Sequence, residues 1–217
     1  MTLQPELFQS VFDMFVREIC CPRLQELYGD ATNQPLNEIY YQCFPCVRII
    51  QPGEFSIGPH ADVSYGHHPF TTNFYILLTD VSPLESSAAL FLESQMGSQD
   101  WHPILGNYGH VKHFPGAVCA HWTTENNTDL TRVSLDVRLL PGPMYHALAD
   151  GEHEVGGQAD VYRRQEGYYS RCIYRYNTSQ EESTAPQWER IGPLPIPDAR
   201  MGFPWTVTNW GKLLGTD

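Results

Sequence analysis

The segment from Gly58 to Asp62 carries the first pair of side chains that could do chemistry together. It reads Gly-Pro-His-Ala-Asp, so His60 and Asp62 stand two residues apart. In a β-strand, residues two apart point to the same face, where an imidazole and a carboxylate can bind one metal ion. A second imidazole completes the facial triad that leaves coordination positions of iron(II) open. The pair therefore predicts a metal site that needs a third ligand.

Three histidines further along the chain are candidates for the third ligand. His121 ends the short apolar segment 117–121, while His110 and His113 precede it. By itself, His-x-Asp is a common pattern that a hydrogen-bonded surface pair explains equally simply. The residues after His121 decide between these two interpretations.

An alternating strand begins eleven residues after His121. Its apolar members are Val133, Leu135 and Val137, and its polar members are Arg132, Ser134, Asp136 and Arg138. Polar side chains that face solvent are ordinary in an antiparallel sheet. If they face the interior, the guanidinium of Arg132 can bind a carboxylate through two hydrogen bonds, and Ser134 can add a hydroxyl donor. The strand then predicts a binding site for a dicarboxylate.

In this order the residues resemble the motif of the iron(II)- and 2-oxoglutarate-dependent oxygenases: His-x-Asp, a distal His, and Arg-x-Ser about ten residues later. The sequence of residues 60–67, 73–74 and 127–138 is similar to sequences of a small biosynthetic branch near the phytanoyl-CoA dioxygenases. This branch includes members from aminoglycoside antibiotic clusters. The resemblance covers roughly residues 45–140. It implies a double-stranded β-helix that uses iron(II), 2-oxoglutarate and O2 to hydroxylate a substrate, with release of succinate and CO2.

The resemblance also implies a role for each matching residue. The ligands it implies are His60, Asp62 and His121 for catalytic iron, and Arg132, Ser134 and Asn73 for the oxoglutarate. In that scheme Asn73 donates to the C1 carboxylate. His110 and His113 lie too far before Arg132 for the family spacing. Because relatives that halogenate lack the carboxylate of Asp62, its presence favours hydroxylation or desaturation.

Contacts with a small-molecule substrate are expected from the loop after Asp62 and from charged residues near it. The candidates are Tyr65, His67, Glu93 and Arg138. Exposed loop positions are an equally simple interpretation of Tyr65 and His67. Glu93 and Arg138 could instead pair with other charges.

Two other functions fit the same barrel. A cupin-type metal-dependent isomerase or epimerase needs no inward arginine and usually carries a further ligand near the first pair. A non-catalytic jelly-roll module binds no metal. The sequence favours the oxygenase because Arg132 follows His121 at the family spacing.

The elements that must position these residues are mainly β-strands. Segments rich in β-branched and aromatic residues alternate with turn residues at 47–51, 55–62, 72–81, 88–93, 109–114, 117–123 and 131–139. Their number and spacing predict a cupin-like jelly roll, and no long periodic stretch supplies the crossover helices of a parallel sheet. Before them, an apolar helix face predicts one packing helix that ends near Cys21-Pro22; it comprises Phe8, Val11, Phe12, Phe15, Val16 and Ile19.

The chain is predicted to be one domain over residues 1–217. Residues 1–45 form the N-terminal helical support, 46–140 the jelly-roll core, and 141–217 a partly irregular C-terminal extension. The aromatics of this extension predict that it packs on the core. They include Trp188, Phe203, Trp205 and Trp210.

The composition limits the classes of partner that we expect for this protein. The net charge of −12 repels a phosphate backbone, so no nucleic-acid partner is expected. No apolar run is long enough to span a bilayer, and the first 19 residues are not those of a signal peptide, so a cytoplasmic location without a membrane partner is expected. The six cysteines are expected to be free thiols. The oligomeric state is left open, a homodimer being one option.

Overall fold

The computed structural model describes residues 5–147, 167–176 and 187–193. It opens with two helices in succession. Helix α1 spans Pro5–Phe15, a π-helical turn follows over Val16–Cys20, and helix α2 spans Cys21–Thr32. The chain then turns into strands, with only short helical segments between them.

The predicted helix end near Cys21-Pro22 is wrong, because the helical path continues for eleven more residues to Thr32. Pro22 lies in the first turn of α2, where a missing N–H breaks no intrahelical hydrogen bond. The π-helical turn just before it absorbs the change in hydrogen-bond spacing. The real end is Asn33, whose left-handed backbone (φ 56°) returns its N–H to the carbonyl of Gly29 at 2.8 Å.

The predicted apolar helix face is only partly buried. Phe12 and Val16 lie in the core, whereas Phe8, Val11 and Ile19 are exposed in the part of the chain that is described. The apolar arc predicted from the sequence is wider than the strip of helix that contacts the sheet. Only that strip packs against the strands.

Ten strands are found in the described residues. They are β1 (Glu38–Gln42), β2 (Cys46–Ile50), β3 (Thr72–Leu77), β4 (Leu90–Leu92), β5 (His102–Pro103), β6 (Val111–Phe114), β7 (His121–Thr123), β8 (Arg132–Pro141), β9 (Tyr169–Tyr174) and β10 (Trp188–Ile191). Two 3₁₀ turns, Asp62–Tyr65 and Pro83–Ala88, and the short helix α3, Gly142–Ala147, connect them.

The strands form two antiparallel sheets. The large sheet has the order β10-β9-β1-β8-β3-β6, with β2 also paired to β8, and the small sheet has the order β5-β4-β7. The ten-residue strand β8 is central: its first half pairs with β2 and its last residues with β1 on one side, while β3 lies on the other.

The two faces of the large sheet have different chemistry. The outer face packs against α1 and α2 through apolar side chains, among them Ile39, Phe74 and Val137. Between the sheets lies a second, smaller apolar cluster that includes Tyr75 and Leu90. The rest of the inner face around β8 is polar, since Arg132, Ser134, Asp136 and Arg138 are all buried there.

Six of the seven predicted strand segments contain a strand, although several are shorter than expected. The segment 55–62 does not: His60 makes a single bridge to His121, and Asp62 begins a 3₁₀ turn. Pro59 has no N–H to donate, so a regular ladder cannot continue through it. Strands β1, β5, β9 and β10 were not predicted.

The large sheet extends beyond the predicted core range of 46–140. It takes β1 from the segment before that range and β9 and β10 from the segment after it. Trp188 on β10 is buried. Phe203, Trp205 and Trp210 lie outside the described residues.

These observations confirm a mainly β, jelly-roll-like fold with a flanking N-terminal helical segment. All pairings between the ten described strands are antiparallel. The six cysteines are free thiols, as expected. Among the described residues, no helix has the length and apolar character needed to cross a membrane.

The packing of the helices on the outer face can be tested with two isoleucines of the same sheet. Ile39 is fully buried under the helices, whereas Ile49 is 40% exposed. We expect Ile39→Ala to lower the free energy of unfolding by about 2–5 kcal/mol, because it leaves a cavity, and Ile49→Ala by under about 1.5 kcal/mol. Urea unfolding followed by circular dichroism measures both. Equal losses for the two variants would contradict this packing.

Candidate metal centre

Three buried or half-buried side chains converge between the two sheets. His60 Nε2 lies 3.5 Å and His121 Nε2 lies 3.6 Å from the same oxygen, Oδ1 of Asp62. One ligand atom from each of the three residues lies within 4.8 Å of the other two. No other group of three metal-ligating side chains comes together in the described chain. The geometry therefore fits one metal ion bound by two imidazoles and one carboxylate.

Backbone carbonyls fix the orientation of both imidazole rings. His60 Nδ1 lies 2.8 Å from the carbonyl of Gly58, and His121 Nδ1 lies 3.1 Å from the carbonyl of Cys119. A carbonyl can only accept, so Nδ1 carries the proton in each ring and Nε2 keeps a free lone pair. Burial, the largest cause, lowers the pKa of His121 and keeps this ring neutral. Both rings are thus prepared as metal ligands.

The backbone around Asp62 brings the ligands together without a strand. His60 and His121 exchange both backbone hydrogen bonds, and the N–H of Asp62 reaches the carbonyl of Gly116 at 3.0 Å. Gly116 also leaves room for Asn73, because a Cβ at this position would stand 2.8 Å from the Asn73 side chain. The structure brings His60 and Asp62 close together, but through an irregular turn and not through the strand predicted from the sequence.

The second carboxylate oxygen of Asp62 is held by Arg138 and Asn73. Arg138 Nε donates to Oδ2 at 2.7 Å, and Asn73 Nδ2 donates to it at 3.0 Å. Burial by itself raises the pKa of Asp62, but the charge of Arg138 and the contact with His60 outweigh it and hold that pKa well below its usual range. Asp62 is therefore a carboxylate whose Oδ1 remains free for a metal.

Arg138 thus pairs with other charges, which is one of its two interpretations from the sequence, and Asn73 has other partners than the C1 carboxylate expected for it. Arg138 also contacts Asp136 at 3.3 Å and donates to Gln42 at 3.4 Å, so it is committed to the protein and not free for a substrate. The second N–H of Asn73 points to Asp136 at 3.4 Å. Neither N–H of Asn73 is left for the C1 carboxylate of an oxoacid. Both residues support Asp62, because a carboxylate buried here needs donors on its second oxygen.

Arg132 and Ser134 differ from Arg138 in lacking partners. Arg132 is 2% exposed, and its single hydrogen bond within the described residues goes from Nη1 to the hydroxyl of Tyr75 at 2.5 Å. Its Nε and Nη2, and the Oγ of Ser134, have no partner among those residues. Buried donors and charges are normally paired, so these atoms mark a place for an anionic ligand.

The remaining predicted site residues are spread around the triad. Tyr65 is 52% exposed, with its ring 5.1 Å from that of His60. His67 is buried, with its ring 6.1 Å from that of Tyr168, so it is not an exposed loop residue. Glu93 accepts the backbone N–H of Ala120 at 2.6 Å and thereby fixes the chain just before His121.

The competing histidines do not join the triad. His113 faces Arg23, whose Nε lies 3.3 Å from its ring, and His110 accepts the backbone N–H of Asn107 at 3.2 Å. Two supporting residues were missed from the sequence: Tyr75, which alternation along β3 could have placed inward, and Gln42, which lies on a strand that was not predicted.

Comparisons with known proteins give distant relatives. No family model matches the chain. The streptomycin biosynthesis protein StrG of Streptomyces griseus is 26% identical over 129 residues, which cover 59% of this chain and 60% of that relative. The chain thus matches less than two thirds of the relative's length.

Two solved structures show a loose similarity. The non-haem monooxygenase ThoJ, in a nickel complex, has a TM-score of 0.42 at 15% identity, over 55% of this chain and 50% of that one. The non-haem α-ketoglutarate-dependent epimerase SnoN from nogalamycin biosynthesis has a TM-score of 0.45 at 13% identity, over 64% of this chain and 60% of that one. The fold assignment rests on the two sheets themselves.

The burial of His67 gives a pH-dependent prediction. Burial, and next the charge of Arg138, lower the pKa of His67 to about 3 in the folded chain, against about 6.5 when unfolded. Between these values only the unfolded chain binds the proton, so this residue makes stability fall as pH falls. We expect His67→Gln to cost stability at pH 7.5, and this cost to shrink by about 2.5–3 kcal/mol at pH 4.5. Urea unfolding of the metal-free proteins measures the difference in free energy of unfolding between wild type and His67→Gln. A difference that is the same at both pH values would contradict the lowered pKa of His67.

Proposed function

We propose that this protein is an iron(II)- and 2-oxoglutarate-dependent oxygenase that hydroxylates a small molecule and releases succinate and CO2. The observation that carries the proposal is the buried guanidinium of Arg132, whose Nε and Nη2 have no partner among the described residues. Arg132 lies on strand β8, which also holds Asp62 of the triad through Arg138. The triad alone fits several metal enzymes. The triad together with a buried anion site fits an enzyme that binds an oxoacid beside its metal.

The donor set suits iron(II). Two neutral imidazoles and one carboxylate bind three positions on one side of the ion and leave the others for cosubstrate and O2. When bound, the metal and the oxoacid supply the oxidising chemistry, and the protein supplies binding, orientation and electrostatics. Because Arg138 and Asn73 occupy Oδ2 of Asp62, the carboxylate can offer only Oδ1. A carboxylate that binds through one oxygen leaves more coordination positions of the ion open.

Arg132 suits the distal carboxylate of 2-oxoglutarate. Its free Nε and Nη2 can donate two parallel hydrogen bonds to one carboxylate, and Ser134 Oγ can add a third. Burial, the largest cause, lowers the pKa of Arg132, and an anion that binds here removes that electrostatic cost. Tyr75 holds Nη1 and so sets the direction in which the other nitrogens point.

A metal-dependent isomerase or epimerase that uses no oxoacid would have no use for this pair of residues. The same is true of a non-catalytic jelly-roll module. Within the oxygenase class, the carboxylate of Asp62 favours hydroxylation or desaturation, because it takes the position that a halide would need. Tyr65, which is exposed beside His60, remains a predicted substrate contact.

The proposal is tested by binding of 2-oxoglutarate to the iron-loaded protein without O2. The visible charge-transfer band of the chelate reports binding. We expect Arg132→Gln to weaken 2-oxoglutarate binding at least about a hundredfold, since charged hydrogen bonds contribute about 1.5–3 kcal/mol each, while iron binding persists. Arg23→Gln, at an exposed arginine, is the matched control and should behave as wild type.

Circular dichroism shows whether both variants fold. An Arg132→Gln protein that binds 2-oxoglutarate as tightly as wild type would overturn the role of Arg132. Loss of iron binding in the same variant would mean that Arg132 supports the metal and not the oxoacid.

A further inference from the structure

Arg48 is a second cation on the polar inner face that no role described so far uses. In the pairing of β2 with β8, Arg48 stands opposite Ser134, and opposite residues of paired strands point to the same side. Its side chain is therefore on the face that carries Arg132 and Asp136. The alternate residues of β2, Val47 and Ile49, are exposed on the other face.

The electrostatic neighbours of Arg48 agree with the position that the strand register gives it. Its charge interacts with those of Asp136 and Arg138, and, after burial, it contributes to lowering the pKa of Arg132. The two guanidinium groups thus repel each other across the same polar space.

The carboxylates of this region are already occupied. Asp62 and Asp136 both pair with Arg138, at 2.7 and 3.3 Å. On the inner face formed by β2, β3 and β8, three arginines therefore meet two carboxylates. Arg48 has one hydrogen bond within the described chain, a long one of 3.5 Å to Ser56 Oγ.

This excess of positive charge contrasts with the rest of the protein. The chain carries 13 lysines and arginines against 25 acidic residues. A local group of cations inside an acidic protein draws anions to that place. Arg48 is half-buried whereas Arg132 is almost fully buried, so a ligand can reach Arg48 more easily. The two arginines fit two different anions.

We propose that Arg48 binds an anionic group, a carboxylate or a tetrahedral oxyanion ester, of the molecule that the enzyme oxidises. The inference rests on the proposed function, in which 2-oxoglutarate occupies Arg132. With iron and the dianionic cosubstrate in place, the charge of Arg48 stays unbalanced, and an anionic substrate supplies the balance. Neutral substrates lack this contact, so Arg48 selects among small molecules.

The experiment is calorimetric titration of two anion probes into the full-length protein loaded with manganese(II) and saturated with 2-oxoglutarate, at constant ionic strength. Sulfate represents a tetrahedral oxyanion, and acetate represents a carboxylate. We expect one of the two to bind wild type at one site per chain. Arg48→Gln should weaken that binding about tenfold or more, since a charged donor pair is lost. Arg48→Lys, which keeps the charge, should retain most of it, and Arg23→Gln should match wild type.

The same samples report 2-oxoglutarate affinity, which Arg48→Gln should leave within about threefold of wild type. Equal anion binding in wild type and Arg48→Gln, or no binding of either probe to wild type, overturns the proposal. Weakened 2-oxoglutarate binding in Arg48→Gln would instead assign Arg48 to the oxoacid site. In those cases the oxygenase proposal stands, whereas it fails if wild type binds neither manganese nor 2-oxoglutarate.

Discussion

The buried ion pair between Arg138 and Asp62 is the interaction on which the site depends. Asp62 is 1% exposed, and a carboxylate this deeply buried needs a cation and donors to stay charged. Arg138 provides them from the central strand, and the contact leaves one oxygen of Asp62 facing both histidines. Through Gln42 and Asp136 the same guanidinium connects the turn that carries Asp62 to β1 and β8.

The large sheet can support this polar cluster because its other face is apolar. The side chains that alternate with the buried charges of β8 include Val137 and Leu139, which pack against the N-terminal helices. Helices and outer face thus provide most of the apolar burial, which is the main stabilising term in folding. The inner face is left free to carry charges that would destabilise an ordinary core.

The sequence contained much of this arrangement, but not all of it. The alternation of β8 and the spacing of His60, Asp62 and His121 are local patterns, and the structure brings those three side chains together. The partners of Arg138 and Asn73 were not predictable, because they depend on which strand lies beside which. β1 and β9 were missed for a similar reason: their membership of the sheet is set by long-range pairing.

The predicted helix end at Cys21-Pro22 shows another limit of prediction from the sequence. A proline usually marks a helix boundary, but here the helical path continues, with a π-helical turn just before Pro22. Likewise, the His-x-Asp pattern predicted a strand. In the structure, a bridge from His60 to His121 and a 3₁₀ turn that begins at Asp62 bring the two side chains together instead. In both places the prediction of the backbone was wrong, because the π-helical turn and the 3₁₀ turn leave no signal in the side-chain pattern.

The central claim is that Asp62, held by Arg138, completes a metal site with His60 and His121. Calorimetric titration of iron(II) without O2 into wild type, Asp62→Asn and His113→Ala tests it most directly. We predict one site per chain in wild type and His113→Ala. In Asp62→Asn we predict a loss of affinity greater than the roughly 10- to 100-fold that removal of an outer hydrogen bond typically costs. Iron bound by Asp62→Asn with the stoichiometry and affinity of wild type would contradict the claim.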